Sequence, residues 1–130
     1  IETAKIQIRT LLPQLESNTY TRIKQNHKIH NFWRKRSKED GKIDFRMNSR
    51  AIYNLIRALT HPYSGAHLVY KGMDIKVWKA KEENIHLANI EPGKILEIEN
   101  NNNILVKTYD SGIWLIKHEF TNLPKVGEYL

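Results

Sequence analysis

Histidine, serine and cysteine are the residues through which a chain of this length could do chemistry, and their spacing is informative mainly by what it excludes. The six histidines are His27, His30, His61, His67, His86 and His118. Only His27-x-x-His30 approaches the spacing of a metal-ligand pair, and it lies among lysines and arginines that oppose a cation. Cysteine is absent, so a thiolate metal site, a disulfide framework and a cysteine nucleophile are excluded. No serine stands in a glycine elbow, and there is no P-loop, no dinucleotide glycine fingerprint and no His-Glu-x-x-His helix. The residues alone assign no catalytic group and no metal ligand.

Charge carries more information. The chain has 130 residues and a net charge of +7. Between Arg22 and Arg46 stand nine basic residues (Arg22, Lys24, Lys28, Arg34, Lys35, Arg36, Lys38, Lys42 and Arg46) against Glu39, Asp40 and Asp44, a local net of +6. Such a field attracts phosphates and polyanions, although a solvated charged linker has the same composition. Tyr20, Phe32, Trp33 and Phe45 are interspersed with these cations, a mixture that permits nucleic-acid binding by phosphate pairing and base stacking. The alternative is that Phe32, Trp33 and Phe45 anchor the segment to a folded body, as aromatics most often do.

The elements that must position these residues follow from periodicity. Ile1, Ala4, Ile8, Leu11, Leu12 and Leu15 recur at helical spacing, with Pro13 limiting how far the helix runs undisturbed. The chain starts inside this stripe without Met, which is expected of a helix cut from something longer or of a processed product. Residues 17–45 show no sustained apolar period, as in a functional loop or linker. Asn48 or Ser49 can cap a helix whose apolar residues Ile52, Leu55, Ile56 and Leu59 fall at i, i+3, i+4 and i+7, and Pro62 stops it. From Ala66 the pattern alternates. Strands are expected at 67–71, 74–80, 94–99, 104–109 and 113–118, with a weaker one at 84–88 and a hairpin turn at Gly72. Five or six short strands separated by turns predict a small closed or Greek-key barrel. Apolar runs are only a few residues long, so no segment can span a bilayer and no secretory leader is evident. The expectation is a cytoplasmic domain without membrane contact.

Several motifs occur in a recognisable order. Arg36-Ser-Lys-Glu-Asp-Gly-Lys-Ile-Asp44 is followed by Ile52-Tyr-Asn-Leu-Ile-Arg-Ala-Leu-Thr-His-Pro-Tyr-Ser-Gly-Ala66, then Ile75-Lys-Val-Trp-Lys-Ala80, then Pro92-Gly93 ahead of a strand. This order resembles the C-terminal half of the formyltransferases that use 10-formyltetrahydrofolate, which include methionyl-tRNA formyltransferase and the enzymes that N-formylate nucleotide-linked amino sugars. The likeness runs from about Leu11 to the C-terminus, and Leu11–Glu16 resembles the closing helix of the family's catalytic domain.

The resemblance implies a division of the chain. Residues 1–16 would be the closing helix of a missing N-terminal catalytic domain, 17–47 a basic linker loop and 48–130 the C-terminal domain. The implied fold is α+β, mainly β, with a helical and basic-loop N-terminal part and a small OB-like Greek-key β-barrel. The family's catalytic residues and folate site lie in the N-terminal domain. The expectation is therefore no catalytic residue here, an inactive fragment, and 10-formyltetrahydrofolate bound only by the full-length family member. The acceptor would be a nucleotide-linked amino sugar or initiator tRNA. Tyr63-Ser-Gly-Ala66 after Thr60-His-Pro62 looks more like the amino-sugar enzymes, although Ser64 stands where a proline is usual. From Ala66 onward eight lysines face nine acids, which disfavours a tRNA surface relying on many cations. Within this reading Arg36 would meet a phosphate, Asp40 with Gly41 would shape the loop, and Arg57 would brace it from the helix. The alternative for Arg57 is a structural salt bridge to Asp40 or Asp44. A free-standing barrel that binds anionic polymers is the remaining reading.

Overall fold

The computed structural model describes residues 1–130, in two compact units, 1–34 and 35–130. The first holds helix α1 (Glu2–Glu16) and a segment without regular structure. Pro13 lies inside α1, and the helix runs on to Glu16 rather than ending there. None of its residues is buried, and Ile6, Ile8, Leu11, Leu12 and Leu15 are all exposed, between 47% and 63%. Farther along, Phe32 and Trp33 are 90% and 77% exposed. No helix of the chain is long and apolar enough to cross a membrane.

The second unit is a small α+β domain. A 3-10 turn (Lys38–Gly41) leads to helix α2 (Ser49–Leu59) and then to strands β1 (Ala66–Tyr70), β2 (Met73–Glu83), β3 (Ile95–Ile98), β4 (Ile104–Lys107) and β5 (Gly112–His118). Asn48 caps α2 by accepting the Ala51 N–H at 2.7 Å. From the β4–β5 turn, Asp110 Oδ1 accepts the Ser49 N–H at 2.8 Å, so the start of the helix is tied to the sheet. Burial pushes the Asp110 carboxyl up, but the Ser49 and Thr108 hydrogen bonds outweigh it and hold the group below its ordinary value. The β1–β2 hairpin turns through Lys71 and Gly72, both at positive φ (49° and 79°), the two-residue turn whose twist suits antiparallel strands.

All pairings are antiparallel, in the order β1-β2-β5-β4-β3. Ile52 and Ile56 on α2 are fully buried together with Leu68, Val77, Ile95, Ile104, Ile113 and Leu115 from the strands. Ile43 and Phe45 join this core at 5% exposure, so Phe45 is an anchor rather than a stacking platform, unlike Phe32 and Trp33.

Two expectations are corrected. The weaker strand at 84–88 does not form. β2 runs on to Glu83, and Ile85 then leaves the ladder with its N–H bonded to Ser111 Oγ at 2.9 Å. The sheet also does not close into a barrel, because β1 and β3 do not pair. Each edge is met by irregular chain: Lys42 bridges His67 on β1, and Lys94 beside β3 bridges Tyr129. Glu128 spans both edges. Its carbonyl accepts the Ile95 N–H at 2.8 Å and its carboxylate accepts the Tyr70 hydroxyl at 2.5 Å.

Candidate functional site

Two open grooves flank α2. The first lies between the helix and the 3-10 turn. Asp40 organises the turn, its Oδ2 accepting the Ser37 N–H at 2.7 Å and the Ser37 hydroxyl at 3.3 Å. Its Oδ1 faces Arg36 Nη1 at 3.4 Å, with the Arg36 side chain 61% exposed and that of Asp40 14% exposed. Lys38 is paired with Asp74 at the start of β2, and that hydrogen bond holds the Asp74 carboxyl below its ordinary value. Gly41 is buried where a Cβ would come within 3.1 Å of Leu59 Cδ1, so a side chain there would press on the helix. The groove this leaves has a volume of about 570 Å³, and Arg36, Ser37, Leu55, Leu59, Tyr63 and Ser64 are among its lining residues. That volume is in the range of small-molecule sites.

The second groove, of about 370 Å³, lies on the other side of α2, against β2 and β5. Tyr53 and Arg57 come from the helix, His61 from the turn after it, Trp78 and Lys79 from β2, and Lys117 from β5. His61 stacks on Trp78 with centroids 4.1 Å apart and planes 9° from parallel. Trp78 Nε1 donates to Glu119 at 2.9 Å, and Thr60 Oγ1 donates to the Trp78 carbonyl at 3.0 Å. Gly65, at φ +82°, lies so close that a Cβ would meet the Trp78 ring at 2.9 Å.

The structure brings Arg36 and Asp40 together and places Arg57 elsewhere, in the second groove. Arg57 bonds Asn54 Oδ1 at 2.9 Å and lies 5.9 Å from the Tyr53 ring centroid. It makes neither of the expected alternative bridges, because Asp40 faces Arg36 and Asp44 is gripped by Arg46 at 2.6–3.1 Å. The Arg46 side-chain bonds hold the Asp44 carboxyl down at about 2.

Sequence reasoning gave no site role to Tyr53, Trp78, Lys79 or Lys117, although the first three lie in the ordered motifs. Lys79 and Lys117 become neighbours only through the β2–β5 register. One signal is present, however. Buried Val77 and Ala80 are separated by two residues that point away from the core rather than one, which marks a β-bulge, and the β2–β5 register shifts at that point.

An open five-stranded antiparallel sheet with one helix across it and cationic grooves on both sides of that helix defines a small α+β domain suited to anionic ligands. The chain belongs to the formyl transferase C-terminal domain family, whose model matches residues 35–126. A methionyl-tRNA formyltransferase of Carboxydothermus hydrogenoformans is 32% identical over 106 residues, which is 82% of this chain and 33% of that protein. A bifunctional polymyxin resistance protein ArnA of Wigglesworthia glossinidia brevipalpis is 31% identical over 111 residues, 85% of this chain and 16% of that protein. Among solved structures, HypX from Aquifex aeolicus in complex with tetrahydrofolic acid superposes with a TM-score of 0.58 at 18% identity, covering 80% of this chain and 18% of HypX. That likeness concerns the fold. The chain spans about a third of the length of the methionyl-tRNA formyltransferases it matches.

Proposed function

We propose that this chain is the C-terminal half of an enzyme that transfers a formyl group from 10-formyltetrahydrofolate to the amine of a nucleotide-linked amino sugar, the compact unit having the OB-like Greek-key character of that branch. Residues 1–16 are assigned as the closing helix of the catalytic domain and 17–47 as the basic connection. The observation that carries the acceptor is the groove beside Arg36. Its volume of about 570 Å³ suits a small ligand, and a guanidinium held by Asp40 stands at its edge. Arg57 belongs to the other side of α2 and serves this site only by way of the helix. The folate is assigned to the remainder of the longer protein, and no residue here is given a role toward it.

A second reading, initiator tRNA as acceptor, is favoured by the basic stretch between Arg22 and Arg46 and by the methionyl-tRNA formyltransferases among the relatives. Formylation assays on the protein that carries this chain separate the two. Supplied with 10-formyltetrahydrofolate, it is expected to formylate a nucleotide-linked amino sugar, read by mass spectrometry, and to leave initiator methionyl-tRNA unmodified. The reverse result overturns the first reading and establishes the second. Arg36→Ala is expected to weaken nucleotide-sugar binding by about tenfold, the worth of a charge-assisted contact, with the circular dichroism spectrum unchanged. Unaltered affinity removes Arg36 from the site.

A further inference from the structure

We propose that the groove formed by Tyr53, Arg57, His61, Trp78, Lys79 and Lys117 is a binding site for a nucleoside diphosphate group, independent of the acceptor reading at Arg36. Lys79 and Lys117 stand directly opposite each other on β2 and β5. Like charges in that position destabilise a sheet. Glu82 is paired with Arg50 at 3.1 Å, and Glu119 accepts the Trp78 indole N–H at 2.9 Å. Arg57 adds a third cation to the same groove, partnered only by Asn54 and the Tyr53 ring. Three cations gathered in one groove, two of them opposed at a cost to the fold, fit an anion of more than one charge.

The rest of the lining fits a planar body. Tyr53, His61 and Trp78 supply aromatic surface. The Glu119 bond and the close approach of Gly65 hold the indole, and the Thr60 hydroxyl holds the Trp78 main-chain carbonyl. A β-bulge sets Trp78 and Lys79 side by side, so the aromatic and cationic parts meet. Phosphates on the lysines and Arg57 with a base against the rings use every part of this lining. The volume of about 370 Å³ accommodates one such ligand rather than a polymer threading through.

Calorimetric titration of the protein with UDP and with ADP tests this. A saturable site with a dissociation constant below about 1 mM is expected, with uridine alone and pyrophosphate alone each binding at least about tenfold more weakly. Lys79→Gln and Lys117→Gln should each weaken UDP binding by about tenfold without lowering the melting temperature, since each relieves a like-charge pair. Lys81→Gln, on the same strand but outside the groove, should leave binding unchanged. The proposal is overturned by an absence of saturation up to about 10 mM or by wild-type affinity in the Lys79→Gln/Lys117→Gln double variant. An RNA oligonucleotide that binds far more tightly than UDP, loses affinity in the lysine variants and shows a salt slope of several phosphates also overturns it, in favour of a polymer.

Discussion

Glu128 joins two parts of the domain that no strand pairing joins. Its carboxylate accepts the Tyr70 hydroxyl at 2.5 Å and the Lys125 N–H at 3.0 Å, with Lys71 Nζ at 3.5 Å. The Tyr70 bond is the main reason that the carboxyl is held down at about 2 rather than at its ordinary 4.5. A carboxyl held low in the folded state stabilises the fold above its unfolded pKa, and that contribution is lost as pH falls through the folded value. Part of the domain's stability should therefore disappear between about pH 4.5 and about pH 2. Tyr70→Phe should return Glu128 toward its ordinary value and flatten that part of the profile. Urea denaturation midpoints collected across this range check it, and an unchanged slope in the variant would show that Tyr70 does not set the Glu128 charge.

Among the elements, the Thr60–Gly65 turn is closely fitted to the indole of Trp78. Gly65 combines a φ of +82° with a Trp78 ring carbon 2.9 Å from where a Cβ would stand, and the indole cannot retreat easily because His61 is stacked on it. Gly65→Ala is expected to cost about 2 kcal/mol, from left-handed backbone strain plus overpacking, and to reduce binding in the groove that Trp78 lines. Chemical denaturation reads the first effect, and a loss below about 0.5 kcal/mol would mean that the turn relaxes freely. Helix α2 was legible because its stripe Ile52, Leu55, Ile56 and Leu59, its Asn48 cap and its Pro62 stop all agree, and two of its residues are fully buried as that stripe requires. The five strands were legible as short runs bounded by turn residues, β4 being buried at every position rather than alternating. The segment at 84–88 misled because Ile85 is apolar for a different reason: its side chain covers Gly112 after leaving the ladder. The Arg36–Asp40 pair was within reach of sequence because it is local, whereas the lysine pair of the second groove exists only through the register of strands 38 residues apart.

At the scale of the whole domain, the open sheet depends on residues 127–130 to cover the β3 edge. Gly127 N–H bonds the Ile95 carbonyl at 2.9 Å and Leu130 N–H bonds the Gly93 carbonyl at 3.0 Å. Barrel closure was expected from the number and spacing of the strands. It fails because the covering chain pairs through isolated bridges, a feature that strand counting does not reveal. Removing residues 126–130 should uncover the β3 edge, lower the melting temperature and promote self-association through strand pairing. Size-exclusion chromatography with light scattering checks the association, and a monomer of unchanged stability would show the seam to be dispensable. The seam also has a consequence for synthesis on the ribosome. Glu128 is translated ten residues after β5 ends at His118, so all five strands emerge before the residue that bridges their edges. At roughly 5–20 residues per second, the β3 edge remains uncovered for about a second in each round of translation.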